Sequence, residues 1–184
     1  MGLEERERSL TAAGQDSAAA TEVIEALGPD ILRYLRSLLQ DEEEAADAFS
    51  DFAEKLWRAL PGLPPHEPVR TWAFHVAWQA ALELRNGAGR HPPGEASVVA
   101  AQVRTRTVVR AARKIDKLSR LREALDPQEQ SILSLRLEQQ FSWEEIAEIL
   151  SLDGEPVDAS AVVARYGHIR ERLEAMAREQ GLLD

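Results

Sequence analysis

The sequence of 184 residues contains no cysteine, few aromatic residues and no long apolar run. Without cysteine the chain forms no disulfide, thiolate metal site or cysteine nucleophile, which fits a reducing compartment such as the cytoplasm. No apolar segment approaches the roughly 20 residues that cross a bilayer, so we expect no membrane insertion. The first twenty residues lack the apolar centre of a signal peptide, and we expect residues 1–18 to be a disordered tail.

Strand signals are almost absent, because β-branched residues are few and no segment alternates apolar and polar residues. Apolar residues instead recur at helical spacing, which predicts an all-α protein. Gly28-Pro29 should kink or split the first helix. Helices are predicted over about 19–40, 43–60, 69–85, from 127 onwards, 143–150 and 158–180.

Gly, Pro and Asn concentrate in residues 86–94, which is the clearest linker in the chain. We therefore predict two small helical domains joined by a flexible linker, the C-terminal domain containing a helix-turn-helix. The boundaries expected are a tail over 1–18, a domain over 19–86, a linker over 87–115 that is basic toward its end, and a domain over 116–182.

Charge is distributed unevenly along the chain, whose formal net charge is -10. Residues 101–125 carry 8 basic and 2 acidic side chains, whereas residues 1–60 carry 6 and 14, and residues 126–184 carry 5 and 13. A protein that binds nucleic acid by itself is usually basic, since phosphate contacts supply most of the non-specific affinity. We therefore expect this chain to bind free DNA poorly.

Two capping boxes mark helix starts in the C-terminal half, Asp126 with Glu129 and Ser142 with Glu145. The last helix should turn one apolar stripe to the core, which contains Val162, Tyr166, Ile169, Leu173 and Met176. Ser160, Val163, Ala164, Arg165 and His168 then lie on other faces near its start, the end that usually meets bases. Arg165 is the best candidate for a bidentate contact to guanine.

Three of the four tryptophans lie between residues 57 and 78, close to Arg58, Arg70 and His75. Unstacked bases stack on aromatic rings while cations hold the phosphates, so this cluster suits single-stranded nucleic acid. Core packing is the alternative, because Trp72 shares a helix face with Val76, and tryptophans on helix faces are usually buried.

Nothing in the sequence predicts an enzyme. The four histidines at 66, 75, 91 and 168 lack metal-ligand spacing, and no nucleophile motif or phosphate-binding glycine loop is present. The acidic run at 41–44 complements a helix start rather than building a cation site. We therefore expect no catalytic residue, no metal, no cofactor and no small-molecule substrate.

Several stretches together resemble the extracytoplasmic-function sigma factors, a branch of the sigma-70 family of bacterial RNA polymerase. The stretch AADAFSDFAEKLWRALPGL with VRTWAFHVAWQAALEL is similar to domain two of that family. LREALDPQEQSILSLRLEQQFSWEEIAEIL and AVVARYGHIRERL are similar to domain four and its recognition helix. The two matches cover most of residues 25–178, in the order and separation of the family.

The resemblance implies a transcription initiation factor that binds core polymerase, recognises both promoter elements and helps to melt them. Implied polymerase contacts are Asp47, Asp51, Glu54 and Arg58. Implied minus-ten contacts are the loop 61–69, which would capture a flipped base, with His66, Arg70, Thr71, Trp72, His75, Trp78 and Gln79. Implied minus-thirty-five contacts are Ser160, Val163, Ala164, Arg165, His168 and Arg172. Trp78 stands where the family commonly has a base-facing arginine, and the turn 151–158 is longer than usual.

Two other functions remain open from the sequence. One is a stand-alone helix-turn-helix regulator, in which residues 25–86 would dimerise or sense a signal. The other is a sigma mimic that sequesters an anti-sigma protein without supporting transcription. In this family an anti-sigma protein can also occlude the factor itself, so the resemblance leaves such a partner open.

Overall fold

The computed structural model describes residues 2–64, 66–87, 95–108, 123–152 and 155–179. Over these ranges the protein is helical, and the β structure is limited to an isolated bridge between Leu152 and Glu155. The predicted all-α class is confirmed. The chain divides into two compact units, residues 1–111 and 112–184. Most of the predicted linker 86–94, the stretch 109–122, His91 and Gly181 lie outside the described residues.

The N-terminal unit is built around one long central helix. Its elements are α1 (Leu3–Ala12), α2 (Asp16–Leu39), α3 (Glu42–Ala59), a 3₁₀ turn (Leu60–Gly62), α4 (Val69–Arg85) and α5 (Glu95–Val108). Helix α2 packs against each of the other four helices. It runs through Pro29 as a single helix, so the split expected at Gly28-Pro29 does not occur. Packing on several sides holds the helix together where proline removes one backbone bond.

Apolar side chains of α2, α3 and α4 form the core of this unit. Tyr34 of α2 meets Phe74 of α4 with ring centroids 5.4 Å apart, and both are fully buried. Phe49 and Phe52 of α3 stack at 5.6 Å. The exposed surfaces of α3 and α4 are therefore presented by a core that fixes both helices.

The disordered tail expected over residues 1–18 is wrong for most of that range. Residues 3–12 form α1, which packs against α2. Arg6 Nε lies 2.6 Å from Glu22 Oε1, and Glu7 is buried and accepts a hydrogen bond from Thr11. A stretch as polar as residues 3–12 is expected to be exposed to solvent. The ion pair, with the aliphatic parts of long charged side chains, instead holds α1 against α2.

The linker predicted over 87–115 is also wrong in part, because residues 95–108 form α5. This helix packs against α2 and α3 and belongs to the N-terminal unit. Its buried face contains Ala96, Ala100 and Val103, while Val98 on another face is 62% exposed. The buried residues are mostly small, so composition alone did not distinguish this helix from a connector.

In its described residues, 123–152 and 155–179, the C-terminal unit contains three helices and a π-helical turn. They are α6 (Pro127–Leu133), the π turn (Ser134–Glu138), α7 (Trp143–Leu150) and α8 (Ala159–Glu179). Both predicted capping boxes are present: the backbone N–H of Glu129 donates to Asp126 at 2.9 Å, and that of Glu145 donates to Ser142 at 3.2 Å. These caps fix where α6 and α7 begin.

The core of the C-terminal unit forms where α7 and α8 meet. Phe141, just before α7, and Ile146, within α7, are both buried. Val162 and Ile169 of α8 are buried as predicted. The ring centroids of Tyr166 and Trp143 are 5.0 Å apart, and the Arg136 guanidinium lies 4.3 Å from the Trp143 ring centroid. This contact orients α8 against α7.

Candidate nucleic-acid interface

The first candidate surface lies at the start of α4 and in the residues just before it. Pro68 precedes the helix with its φ fixed by the ring, and α4 begins at Val69 as predicted. His66 is exposed, and the half-buried residues of the predicted set are Arg70, Trp72, His75 and Gln79. The guanidinium of Arg70 lies 5.5 Å from the ring centroid of Phe74, which anchors the cation at the helix start.

Two residues of the predicted minus-ten set are in the core instead. Thr71 is 1% exposed and Trp78 is 3% exposed. Both lie at 3–4 residue spacing with Phe74 and Ala81, which face α2 and α3, so position 78 belongs to the core stripe of α4. Direct base contacts by Thr71 and Trp78 are therefore contradicted by this structure.

The second candidate surface is the acidic stripe of α3, formed by Asp47, Asp51 and Glu54. Arg58, the fourth residue of the predicted polymerase-contact set, follows it along the same helix. Lys55 Nζ lies 3.0 Å from Asp51 and 2.6 Å from Glu83 of α4. This bridge leaves the Asp51 side chain only 10% exposed. Arg58 is well exposed and lies 3.8 Å from Glu54.

Glu54 does not lie on an open surface, contrary to prediction. It is 5% exposed, and its carboxylate accepts a hydrogen bond from the hydroxyl of Ser97 at 3.1 Å. Ser97 belongs to α5, so the helix that the sequence did not predict covers this part of the stripe. Its position on α3 alone predicts an exposed Glu54, because the sequence does not show that α5 covers it.

The third candidate surface is the start of α8. Ser160, Val163, Ala164 and His168 are exposed, as the helical spacing predicts. Arg165 is half-buried, and its guanidinium lies 2.6 Å from Asp126 and donates to the side-chain oxygen of Gln128. The residue expected to read guanine is therefore held by the start of α6.

Arg172 also contacts the start of α6. Its guanidinium donates to both carboxylate oxygens of Glu129 at 3.0 Å and to the carbonyl of Ala124 at 2.7 Å. Asp126 and Glu129 thus cap α6 and also bind two arginines of α8. The capping box is predictable from the sequence, but this second role is not, because the partners are about forty residues apart along the chain.

Asp158 directly precedes α8 and caps its first turn. Its carboxylate accepts from the backbone N–H of Ser160 at 3.0 Å and from the Ser160 hydroxyl at 2.9 Å. These two hydrogen bonds favour the charged form and lower the pKa of Asp158. The carboxylate remains ionised at neutral pH and fixes the residue at which α8 begins.

The described residues contain neither a cluster of metal ligands nor a membrane-spanning helix. No three histidine or acidic side chains in the described ranges are grouped as metal ligands. None of the helices described is both long and apolar enough to cross a membrane. The chemistry available at the three candidate surfaces is binding, through cations, aromatic rings and carboxylates.

Comparison with known proteins finds a family match within the N-terminal unit. Residues 23–91 match the family model described as sigma-70 region 2, which covers α2 to α4. No curated protein matches the chain by sequence. The solved structure titled "Structure of CnrH in complex with the cytosolic domain of CnrY" has the same fold, with a TM-score of 0.68 and 20% sequence identity. The similarity covers 97% of this chain and 99% of that one.

The matched segment contains the stretches that resemble domain two, and the shared fold extends over both units of the chain. Members of the sigma-70 family are transcription initiation factors rather than enzymes. The family resemblance indicated by the sequence is confirmed for residues 23–91, the segment that matches sigma-70 region 2.

Proposed function

We propose that the chain is a sigma factor of the extracytoplasmic-function type that acts in the cytoplasm. It binds core RNA polymerase, recognises minus-ten and minus-thirty-five promoter elements and promotes DNA melting. The observation that carries this proposal is the sigma-70 region 2 match over residues 23–91, which coincides with α2 to α4. The exposed and half-buried cations and rings at the start of α4 are what a melted strand requires.

The minus-ten function is assigned to the loop 61–69 and the accessible side of α4. His66, Arg70, Trp72, His75 and Gln79 are the accessible members of the predicted set. Trp72 supplies a ring for stacking, and Arg70 supplies a cation that Phe74 holds in place. Thr71 and Trp78 are removed from the reading surface and act by packing α4 into the core.

The minus-thirty-five function is assigned to α8, with Ser160, Val163, Ala164 and His168 exposed for groove contacts. Arg165 and Arg172 join them only if their guanidiniums leave the carboxylates of α6. The pair of Arg165 and Asp126 is more than 40% exposed on both sides, and such pairs contribute roughly 0.2–1 kcal/mol. A bidentate guanine contact contributes about 1–3 kcal/mol of discrimination between bases, so the exposed pair with Asp126 is too weak by itself to keep Arg165 from a guanine.

Replacing Arg165 with alanine is therefore expected to lower discrimination between bases at one position of the upstream element by about 5- to 150-fold. The measurement is competition between promoter fragments that differ at single upstream positions, with the protein bound to polymerase. Arg178→Ala is the matched control, since Arg178 lies near the other end of α8 and pairs with Glu174. If Arg165→Ala keeps full discrimination at every position, Arg165 serves only to bind α6.

The net charge of -10 is explained by a basic partner. Polymerase would hold the reading helices beside the promoter at high effective concentration, so the factor itself needs little affinity for DNA. The acidity would also keep the free factor off random DNA. A second candidate function, the sigma mimic, is favoured by the pairing of Arg165 and Arg172 with carboxylates, which neutralises the helix that would read DNA.

A protein partner is also proposed. CnrH was solved in complex with the cytosolic domain of CnrY, so a protein of this fold binds such a domain. We propose that a cytosolic anti-sigma domain binds this chain in a comparable way.

The experiment is a binding comparison on a labelled promoter duplex, using this protein alone, core polymerase alone and the two together. The proposal predicts sequence-specific binding only when both proteins are present. Binding by this protein alone would instead favour a stand-alone regulator. Stable association with polymerase without promoter binding would favour the mimic.

A further inference from the structure

Helix α5 covers part of the surface through which this chain is proposed to bind polymerase. Its buried face, with Ala96, Ala100 and Val103, packs against α2 and α3. The opposite face is open to solvent, since Val98 is 62% exposed. The helix is therefore attached to the unit by one face only.

Two polar contacts place α5 along the acidic stripe of α3. Ser97 donates its hydroxyl proton to Glu54 at 3.1 Å, and Arg104 donates to the carbonyl of Ala46 at 3.5 Å. Ala46 and Glu54 are two turns apart on α3, and Asp47 and Asp51 lie between them along the chain. With α5 in place, Glu54 is 5% exposed and cannot contact another protein.

Close approach of α5 to α2 depends on a glycine. A Cβ atom at Gly28 would lie 2.8 Å from Cγ1 and 3.3 Å from Cγ2 of Val103, and 3.2 Å from Cζ of Phe49. These separations are shorter than van der Waals contact, so only glycine at this position lets Val103 sit against α2. Gly28 therefore provides a specific packing site for α5 on α2.

We propose that α5 is an autoinhibitory helix, which occupies the polymerase-binding stripe of α3 and is displaced when core polymerase binds. This inference rests on the proposed function, because it uses α3 as the polymerase surface. Among the described side chains of α5, the buried ones are two alanines and one valine. Release of α5 therefore exposes less apolar surface of its own than unfolding of the aromatic α2–α4 core would. Polymerase gains Glu54 and the backbone around Ala46 as contacts only in the released state, and this differential contact drives the displacement.

The test locks α5 in its packing site with a disulfide. The chain contains no cysteine, so a pair introduced by Gly28→Cys and Val103→Cys is the only pair that can form. A Cβ atom at residue 28 would lie 2.8 Å from Cγ1 and 3.3 Å from Cγ2 of Val103, and both of these atoms are one bond from Val103 Cβ. The two Cβ atoms are therefore within the roughly 3.5–4.5 Å that a disulfide requires. Binding of the full-length variant to core polymerase is then measured in the oxidised and reduced states of the same preparation.

The oxidised variant is expected to bind core polymerase at least about tenfold more weakly than the reduced variant, because the binding-competent state is removed. Reductant should restore binding in the same sample. The single variants Gly28→Cys and Val103→Cys cannot cross-link within one chain and should bind equally under both conditions. Circular dichroism of the oxidised protein establishes that its helices are intact.

Equal binding by the oxidised and reduced double variant would overturn the autoinhibitory role and leave the proposed sigma function standing. Absence of polymerase binding by the wild-type chain would overturn both. A second variant acts in the opposite direction: Ser97→Ala removes the hydrogen bond to Glu54 and is expected to strengthen polymerase binding. Weaker binding by Ser97→Ala would also count against the proposal.

Discussion

Replacing Trp78 with alanine is expected to destabilise the N-terminal unit by about 3–5 kcal/mol, the range for large aromatic side chains in a core. Trp78 is 3% exposed and packs on the inner face of α4. The cavity left by an indole would be large, and helices α2 and α3 cannot close it without shifting. Domains of this size are stable by only about 5–15 kcal/mol, so the loss should be evident in denaturant unfolding.

Two other variants separate packing from base reading. Trp78→Phe keeps a ring and removes an indole N–H that has no hydrogen-bond partner among the described residues, so promoter opening should persist. Trp72→Ala changes a half-buried tryptophan six residues away and should cost less stability but impair opening. A Trp78→Ala protein that is as stable as wild type but fails to open DNA would contradict the core assignment.

Replacing Glu129 with alanine is expected to destabilise the C-terminal unit by about 2 kcal/mol. The change removes the carboxylate that accepts from the Asp126 backbone N–H at 3.0 Å and from Arg172 at two positions. Loss of a capping interaction costs about 1 kcal/mol. The ion pair adds a similar amount rather than more, since Arg172 is 47% exposed and partly screened by water.

Hydrogen exchange of backbone amides in α6 and α8 measures this loss in the full chain. The double variant Glu129→Ala with Arg172→Ala should lose less than the sum of the two single variants, because the pair is coupled. Glu171→Ala, an exposed glutamate on α8, is the control and should change stability by less than about 0.5 kcal/mol. Strict additivity of Glu129→Ala and Arg172→Ala would show that the two side chains do not stabilise one another.

The helix starts were the features most directly predictable from sequence. Asp126 with Glu129 and Ser142 with Glu145 are local patterns that satisfy backbone N–H groups within one turn, and both occur as expected. The start of α4 at Val69 follows from the proline before it. Such signals need no knowledge of tertiary structure.

Helices α1 and α5 were missed because their stability comes from tertiary contacts. The stretch that forms α1 is rich in charge, and α5 buries only alanines and a valine. Helical packing onto α2 compensates in both cases, and the decisive partners, Glu22 for Arg6 and Gly28 for Val103, are distant in sequence. No local pattern contains that information.

The residues of the candidate sites show the same difference between what local sequence predicts and what depends on tertiary contacts. Exposure of Ser160, Val163, Ala164 and His168 followed from helical spacing, whereas Trp78 was placed on the surface by family resemblance against its own spacing. Periodicity was the better guide at residue 78. Neither helical spacing nor the family resemblance predicted that Arg165 and Arg172 pair with the start of α6. Ion pairs between separate helices depend on how the helices pack.

The most direct test of the sigma assignment is run-off transcription with purified bacterial core polymerase on a library of promoter fragments, with and without this protein. The account predicts transcripts that appear only when the protein is added. Their aligned start sites should share two upstream elements, one of which changes when Arg165 is replaced. Absence of any protein-dependent transcript, together with binding of the protein alone to duplex DNA, would contradict the account.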